Sequence, residues 1–130
     1  MNKTILVTAS LLGFTGIILG AFAAHGLKEL IPIESVKTFE TGVRYQMYHA
    51  LLLLFVGSTS YVTAKSKKLI YYLTVVGWLF FSGSIYGLAT NLLINFDFKS
   101  IGFITPIGGL CFILAWGALF MNFIKMKGNN

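Results

Sequence analysis

Long apolar segments separated by short polar links dominate this chain. They run from about residues 4 to 24, 43 to 62, 69 to 93 and 101 to 124. A helix of roughly 20 residues crosses the hydrocarbon core of a bilayer, so each segment is long enough to span it. The pattern predicts an all-α polytopic membrane protein: one domain, residues 1–130, with four transmembrane helices in a compact bundle. A closed β-barrel would instead show shorter segments of alternating polarity.

The first segment also imitates a secretory signal peptide. Lys3 would be its charged start, and Ala21-Phe22-Ala23 would be its cleavage pattern. A signal core is usually about 7 to 15 residues long. Ile5 to Ala24 gives 20 residues without a charge, which favours a retained span. Within this segment, Gly16 and Gly20 form a GxxxG pattern, which predicts the close approach of another helix.

The longest link, residues 25 to 42, mixes charged side chains with Ile, Val and Phe. This alternation predicts an amphipathic helical segment lying at the membrane interface. We expect the segment to begin near Ser35 and to continue without a break into the second span. It would therefore place the polar start of that span on the same helix.

Composition agrees with a membrane location, and the charges predict an orientation. The chain is 56% hydrophobic and 11% charged, with a formal net charge of +6. Its basic residues lie mainly in links and ends, so topology explains them and no nucleic-acid partner is predicted. With four spans, both termini and the 65–68 link share six lysines and no acid, whereas the other side has four basic and four acidic residues. The positive-inside rule then places both termini in the cytoplasm.

Polar side chains are concentrated where the second span begins, at Glu40, Arg44, Gln46 and His49. On a helix advancing 100° per residue, Gln46 lies about 60° from His49, whereas Glu40 and Arg44 lie on roughly the opposite face. Glu40 and Arg44 can pair locally, and Arg44 can reach the interface. His49 is deep enough to need a hydrogen-bond partner on another helix. Tyr86 of the third span is the first candidate.

The third and fourth spans combine hydroxyl groups with glycines. The third contains Ser82 and a GxxxG pattern at Gly83 and Gly87, and the fourth opens with Thr105-Pro106-Ile107-Gly108-Gly109. Proline is tolerated in the first turn of a helix, so Pro106 favours a helix start with tight packing. A broken helix whose end meets an ion is the alternative.

Catalytic motifs are absent from the sequence. There is no GxSxG, HExxH or Walker pattern, and no pair of acids within a span, so no enzyme activity is predicted. The single cysteine, Cys111, excludes an intrachain disulfide and is expected to pack as a small hydrophobe. His25 and His49 are the potential ligands of haem or a metal ion. Their different predicted depths argue against a shared site, so no cofactor or metal is predicted.

Four phrases of the chain, in the same order, closely resemble a small four-span bacterial family of unknown function that includes the YwdK and YgdD proteins. They are GAFAAHGLKE (20–29), FETGVRYQMYHALLLL (39–54), FSGSIYGLA (81–89) and TPIGGLCFILAW (105–116). Vertebrate transmembrane protein 256 looks like a distant relative. The resemblance implies a bacterial plasma-membrane protein with no established reaction. One staphylococcal member is linked by name to membrane stabilisation, so the resemblance allows that role.

Two sets of residues follow as candidates for a site. A polar cluster with a structural or binding role comprises His25, Glu40, Arg44, Tyr45, Gln46, His49, Ser82, Tyr86 and Thr105. Helix packing is assigned to Gly16, Gly20, Gly83, Gly87, Gly108 and Gly109.

Three classes of function remain open. We favour a non-enzymatic homo-oligomer, a structural or scaffold protein that supports membrane integrity and whose partners are membrane lipids and further copies. A small transporter or channel is an alternative, although a proton-coupled exporter generally needs an acid within a span, and this chain has only Glu40 at a boundary. A lipid- or cofactor-binding module would use His25, His49 and Arg44, the last as a partner for an anionic head group.

Overall fold

Helices form almost all of the described protein. A computed structural model describes residues 1–93, 97 and 102–128, and these ranges contain no strand. The predicted link between the third and fourth spans falls largely on residues 94–96 and 98–100, and these, together with Ile101, the predicted first residue of the fourth span, lie outside the described residues. The helices are α1 (Asn2–Ala24), α2 (Ile33–Ser58), α3 (Ala64–Trp78), α4 (Ser84–Ala89) and α5 (Ile104–Lys125). A π-helical segment, Leu79–Gly83, joins α3 to α4, and short 3₁₀ turns occupy Leu27–Glu29 and Asn91–Leu93.

The first two helices pack closely against each other in opposite directions. Gly57, near the end of α2, faces Leu6 near the start of α1. At the middle of the pair, a Cβ atom built on Gly16 would lie 2.6 Å from Met47 Sδ. Pro32 stands immediately before α2, and the helix then runs unbroken for 26 residues. The predicted continuity between the link helix and the second span is therefore confirmed.

The remaining helices alternate in direction. Lys67 Nζ, in the first turn of α3, donates to Asn2 Oδ1 at 2.9 Å, which brings the starts of α1 and α3 together. Asn122, near the end of α5, accepts from the Thr63 N–H at 3.1 Å. The start of α1 and the end of α5 therefore lie at one end of the bundle, which we call the lysine end: Lys3, Lys65, Lys67, Lys68, Lys125 and Lys127. The opposite end carries all four acids of the chain: Glu29, Glu34, Glu40 and Asp97.

Three helical stretches are long and apolar enough to cross a membrane: Asn2–Glu29, Ala64–Ala89 and Ile104–Lys125. α2 is not among them, because its first half is polar. It nevertheless runs beside α1 over the length of that helix, and its Gln46 and His49 side chains are buried in the bundle. α3, the π-helical segment and α4 form one continuous helical rod. The predicted class, an all-α membrane bundle of four helices, is confirmed.

The π-helical segment lies where α5 crosses the third helical rod. Gly108 of α5 packs directly against the backbone of Phe80 and Phe81. Beside this crossing, the hydroxyl groups of Ser84 and Thr105 hydrogen-bond to each other. α5 is continuous from Ile104, with Pro106 in its first turn. The prediction of a helix start with tight packing is confirmed, and the broken-helix alternative is wrong.

Candidate functional site

Gln46 is the most deeply buried polar side chain of α2, with no exposed surface. Its Nε2 donates to the Leu12 carbonyl oxygen at 2.8 Å and to Thr15 Oγ1 at 3.0 Å, both on α1. Its Oε1 accepts from Trp78 Nε1 at 2.9 Å and from the Tyr86 hydroxyl at 2.6 Å. An amide side chain has two donor hydrogens and two acceptor lone pairs. All four are therefore used, and one side chain joins α1, α2, α3 and α4.

The partners of Gln46 fix which way its amide points. A carbonyl oxygen can only accept and an indole N–H can only donate, so Nε2 faces Leu12 and Oε1 faces Trp78. Tyr86 had been expected to bond to His49, and that prediction is wrong. Gln46 lies one helical turn before His49 and takes the Tyr86 hydroxyl instead.

His49 uses both ring nitrogens on partners within the protein. Nδ1 lies 2.7 Å from the Tyr45 carbonyl oxygen, and Trp116 Nε1 lies 3.1 Å from Nε2. Because the carbonyl only accepts and the indole only donates, Nδ1 carries the hydrogen and Nε2 accepts. The ring also stacks on Phe112, with centroids 3.6 Å apart and planes 14° apart. His49 therefore anchors α5 to α2 as a neutral imidazole.

These contacts form a polar layer across the middle of the bundle, which comprises Thr15, Gln46, His49, Trp78, Tyr86 and Trp116. One apolar cluster lies on the lysine side of the layer and includes Ile5, Leu53, Val56 and Ile70. A second lies on the acidic side and includes Leu27, Val36 and Phe39. The polar layer therefore lies between two apolar regions of the same core.

A second set of polar contacts supports the layer from the acidic side. The Ser82 hydroxyl, in the π-helical segment, donates to the Gly42 carbonyl oxygen at 2.8 Å. Gly42 allows this approach, because a Cβ atom there would lie 2.7 Å from the Tyr86 ring. Thr74 Oγ1 is also buried, but it has no partner among the residues described, and nothing in the structure explains that position.

An open groove runs past His49 on the outer face between α2 and α5. Its volume is about 460 Å³, and it is bordered by aromatic rings of Tyr45, Phe81, Phe112 and Trp116. A ligand in this groove would meet ring faces and an imidazole whose two nitrogens are already bonded. It would have to displace Trp116 to gain a hydrogen bond from His49.

Three predicted members of the polar cluster lie away from the layer. His25 is exposed just after the end of α1. Arg44 is exposed and donates from Nη2 to Thr41 Oγ1 at 3.1 Å. Glu40 is half-buried, and the local pair with Arg44 that the spacing allows is not formed. The ion pair found in the described part of the chain is Lys37–Glu34, at 4.0 Å.

The structure also separates the predicted packing glycines. Gly16 and Gly20 face Met47 and Val43 of α2, and Gly108 faces the π-helical backbone. A Cβ atom at Gly109 would make only an ordinary contact with the Phe81 ring, at 3.7 Å. At Gly83 the nearest such neighbour is the Trp78 carbonyl oxygen of the same rod, at 3.9 Å, so no helix approaches closely there. Gly87 is buried.

Two tryptophans and a threonine belong to the layer but were not singled out from the sequence. Trp78 and Trp116 sit in apolar runs, where an aromatic residue first suggests packing, and Thr15 lies beside the GxxxG pattern of α1. The two tryptophans could have been found from the sequence, because a buried indole N–H usually finds a hydrogen-bond acceptor. Within the described residues, no group of three or more His, Cys, Asp or Glu side chains could hold a metal ion.

Comparison with known proteins assigns the chain to a family. A family model described as "Protein of unknown function (DUF423)" matches residues 19–109, a range that includes Gln46, His49, Tyr86 and Gly108. The chain belongs to this family. The predicted resemblance is therefore confirmed, and the protein is a membrane protein of a family whose function is unknown.

Individual relatives match over nearly the whole chain. A UPF0382 membrane protein of Haemophilus influenzae is 35% identical over 130 residues, which covers 98% of each chain. One from Staphylococcus aureus is 36% identical over 126 residues, covering 97% of this chain and 99% of the relative. The UPF0382 membrane protein YwdK of Bacillus subtilis is 36% identical over 115 residues, covering 88% and 90%. No solved structure matches the chain significantly.

Proposed function

We propose that this protein is a non-enzymatic structural component of the bacterial cytoplasmic membrane, which associates with further copies of itself and supports membrane integrity as a scaffold. The observation that carries the proposal is the saturation of Gln46, whose four hydrogen-bonding positions all have partners within the chain. Buried polar groups arranged in this way fix which helices meet and in what register. The amide of Gln46 therefore has no free donor or acceptor for a reactant.

Transport is the less favoured alternative for the same reason. A transporter needs a polar path through the bundle and a binding site near its middle, often at an unwound helix. Here the polar layer lies between two apolar clusters, and α5 is continuous from Ile104 to Lys125. The groove beside His49 is better suited to holding a ligand than to conducting one through the bundle. Both ring nitrogens of His49 are, however, already bonded within the protein.

Self-association would use a face other than the one expected from the glycines. Gly16, Gly20 and Gly108 are occupied by contacts within the chain. Gly13 has open space where a side chain would be, and it lies one turn from Ile17, which is 64% exposed. Small residues on an exposed helix face allow close approach of another helix. We assign the contact between copies to this side of α1.

A leucine at Gly13 tests this assignment. The Gly13→Leu variant is expected to fold normally, to run as a monomer in native mass spectra of protein released from its own membranes, and to lose at least half of the wild-type rescue of dye leakage in cells lacking the protein. Ala21→Leu is the matched control, since Ala21 is also exposed on α1 but lies about 80° from Gly13 around the helix. A monomeric wild-type protein, or full rescue by monomeric Gly13→Leu, would refute the scaffold proposal.

The orientation is part of the same proposal. The lysine end carries six basic residues and the opposite end four, so the positive-inside rule favours a cytoplasmic lysine end. In a Cys111→Ser background, Glu34→Cys is expected to react with a membrane-impermeant maleimide in intact cells, whereas Lys127→Cys is expected to react only after permeabilisation. The reverse labelling pattern would contradict the orientation.

A further inference from the structure

A long groove separates α3 from α5 at the lysine end of the bundle. It has a volume of about 950 Å³ and is distinct from the groove beside His49. Its walls are apolar, with Leu69 and Leu73 on α3 facing Ile113 and Leu114 on α5. The polar contacts of the layer do not reach it. An elongated apolar channel that is open to the surroundings fits a chain-like, apolar occupant.

Gly117 keeps this groove open. A Cβ atom built on Gly117 would meet nothing within 4 Å, although the residue lies in the middle of α5 and lines the groove. Its neighbour Ala118, also in the lining, is the smallest side chain after glycine. The depth of the groove therefore depends on one missing side chain. A larger residue at position 117 would project into the groove, because its Cβ atom would meet nothing within 4 Å.

The mouth of the groove is polar and positively charged. Lys65 on α3 and Lys125 on α5 stand on its two sides, together with Ser66 and Tyr61. Asn122 holds this mouth in place, because its Nδ2 donates to the Tyr61 carbonyl oxygen at 2.9 Å. The four acidic side chains of the chain all lie at the other end of the bundle, so no Asp or Glu side chain competes for the two ammonium groups.

We propose that this groove binds one anionic phospholipid, with an acyl chain along Gly117 and the head-group phosphate between Lys65 and Lys125. From Ile113 to Lys125, α5 rises about 18 Å at 1.5 Å per residue, close to one leaflet of a core roughly 30 Å thick. Basic pockets between transmembrane helices bind anionic head groups in this way. The inference goes beyond the scaffold role and does not depend on self-association.

Selectivity must come from the head group. Bulk lipid tails are as apolar as the groove, so an acyl chain gains little by entering it. Two lysines near an anionic group favour it by about thirtyfold over a neutral one. The groove then fixes the position of the bound lipid, because it holds the acyl chain while the two lysines retain the phosphate.

The test uses full-length protein in nanodiscs that contain equal amounts of phosphatidylglycerol and phosphatidylethanolamine, followed by native mass spectrometry of the released protein. Wild-type protein is expected to retain one phosphatidylglycerol. The Lys65→Gln/Lys125→Gln variant is expected to lose retention by about tenfold or more, and Gly117→Leu, which occupies the place of the acyl chain but keeps both lysines, is expected to lower it by a smaller factor. Two controls should behave as wild type: Lys3→Gln/Lys68→Gln, which has the same net charge as the groove variant, and Gly13→Leu.

Each contrary outcome has a definite meaning. Equal retention of both lipids would overturn the proposal, and so would an equal loss in the Lys3→Gln/Lys68→Gln control, which would reduce the effect to surface charge. If Gly117→Leu changes the subunit number and leaves lipid retention unchanged, a second copy fills the groove and the lipid proposal is wrong. Thermal melting reports folding, and if Gly117→Leu does not fold, the two charge variants decide. A monomeric protein that still retains the lipid would count against the scaffold role alone.

Discussion

Replacing Gln46 with leucine is expected to destabilise the bundle by about 2–4 kcal/mol, the sum of four interhelical hydrogen bonds at roughly 0.6 kcal/mol or more each. Leucine fills most of the space but offers no polar atom. The Trp78 indole and the Tyr86 hydroxyl would then be left without the acceptor they now share. Donors stranded in an apolar interior add to the loss. Reversible unfolding in mixed micelles measures the change in free energy of unfolding.

A double-mutant cycle separates the lost bond from lost packing. Tyr86→Phe removes only the hydroxyl group that donates to Gln46 Oε1. In the Gln46→Leu background this second change should cost almost nothing, so the cycle should give a coupling energy of about 1 kcal/mol. Tyr48→Phe is the matched control, because Tyr48 lies on the same helix and is 51% exposed. Its effect should simply add to that of Gln46→Leu. A wild-type free energy of unfolding for Gln46→Leu would refute the central role of the amide.

Periodicity and charge placed the helices well. One continuous helix through the link and the second span is predicted because charged and apolar residues alternate after Pro32 before the unbroken run of leucines begins. Its bounds differ, since α2 begins at Ile33 and ends at Ser58, whereas a start near Ser35 and an end near Val62 are predicted. Helical geometry also placed Gln46 and His49 on an inward side and Arg44 on an outward one. These inferences depend only on neighbours along one helix. That is why they could be made without knowing how the helices pack.

The partners of those side chains could not be predicted in the same way. A helical wheel gives the direction of His49 but not the height or identity of the helix opposite, so Tyr86 was assigned to the wrong residue and Trp116 was missed. The Gly16–Gly20 pattern likewise cannot tell a contact within the chain from one between copies. The π-helical segment lies where α5 packs against Phe80 and Phe81, and periodicity along the third helix carries no sign of it.

The crossing of α5 over the π-helical segment leads to the second large prediction. Gly108→Ala is expected to cost about 3 kcal/mol, at the upper end of the usual range for overpacking. The added methyl group would overlap the Phe81 backbone nitrogen and lie 2.7 Å from the Phe80 carbonyl carbon. Backbone atoms held in a helix cannot rotate away as a side chain can. The two rods would have to separate, which would also strain the Ser84–Thr105 hydrogen bond nearby.

Two glycines on the same helix provide controls for that prediction. Gly109→Ala would place its methyl group 3.7 Å from the Phe81 ring, an ordinary contact, and Gly117→Ala would place it in open space. Both should leave the free energy of unfolding unchanged or raise it by up to about 1 kcal/mol, because alanine favours a helix more than glycine does. Adjacent positions 108 and 109 are thus expected to respond in opposite directions. Equal unfolding free energies for Gly108→Ala and Gly109→Ala would show that α5 does not press on the π-helical backbone, and the crossing described here would then be wrong.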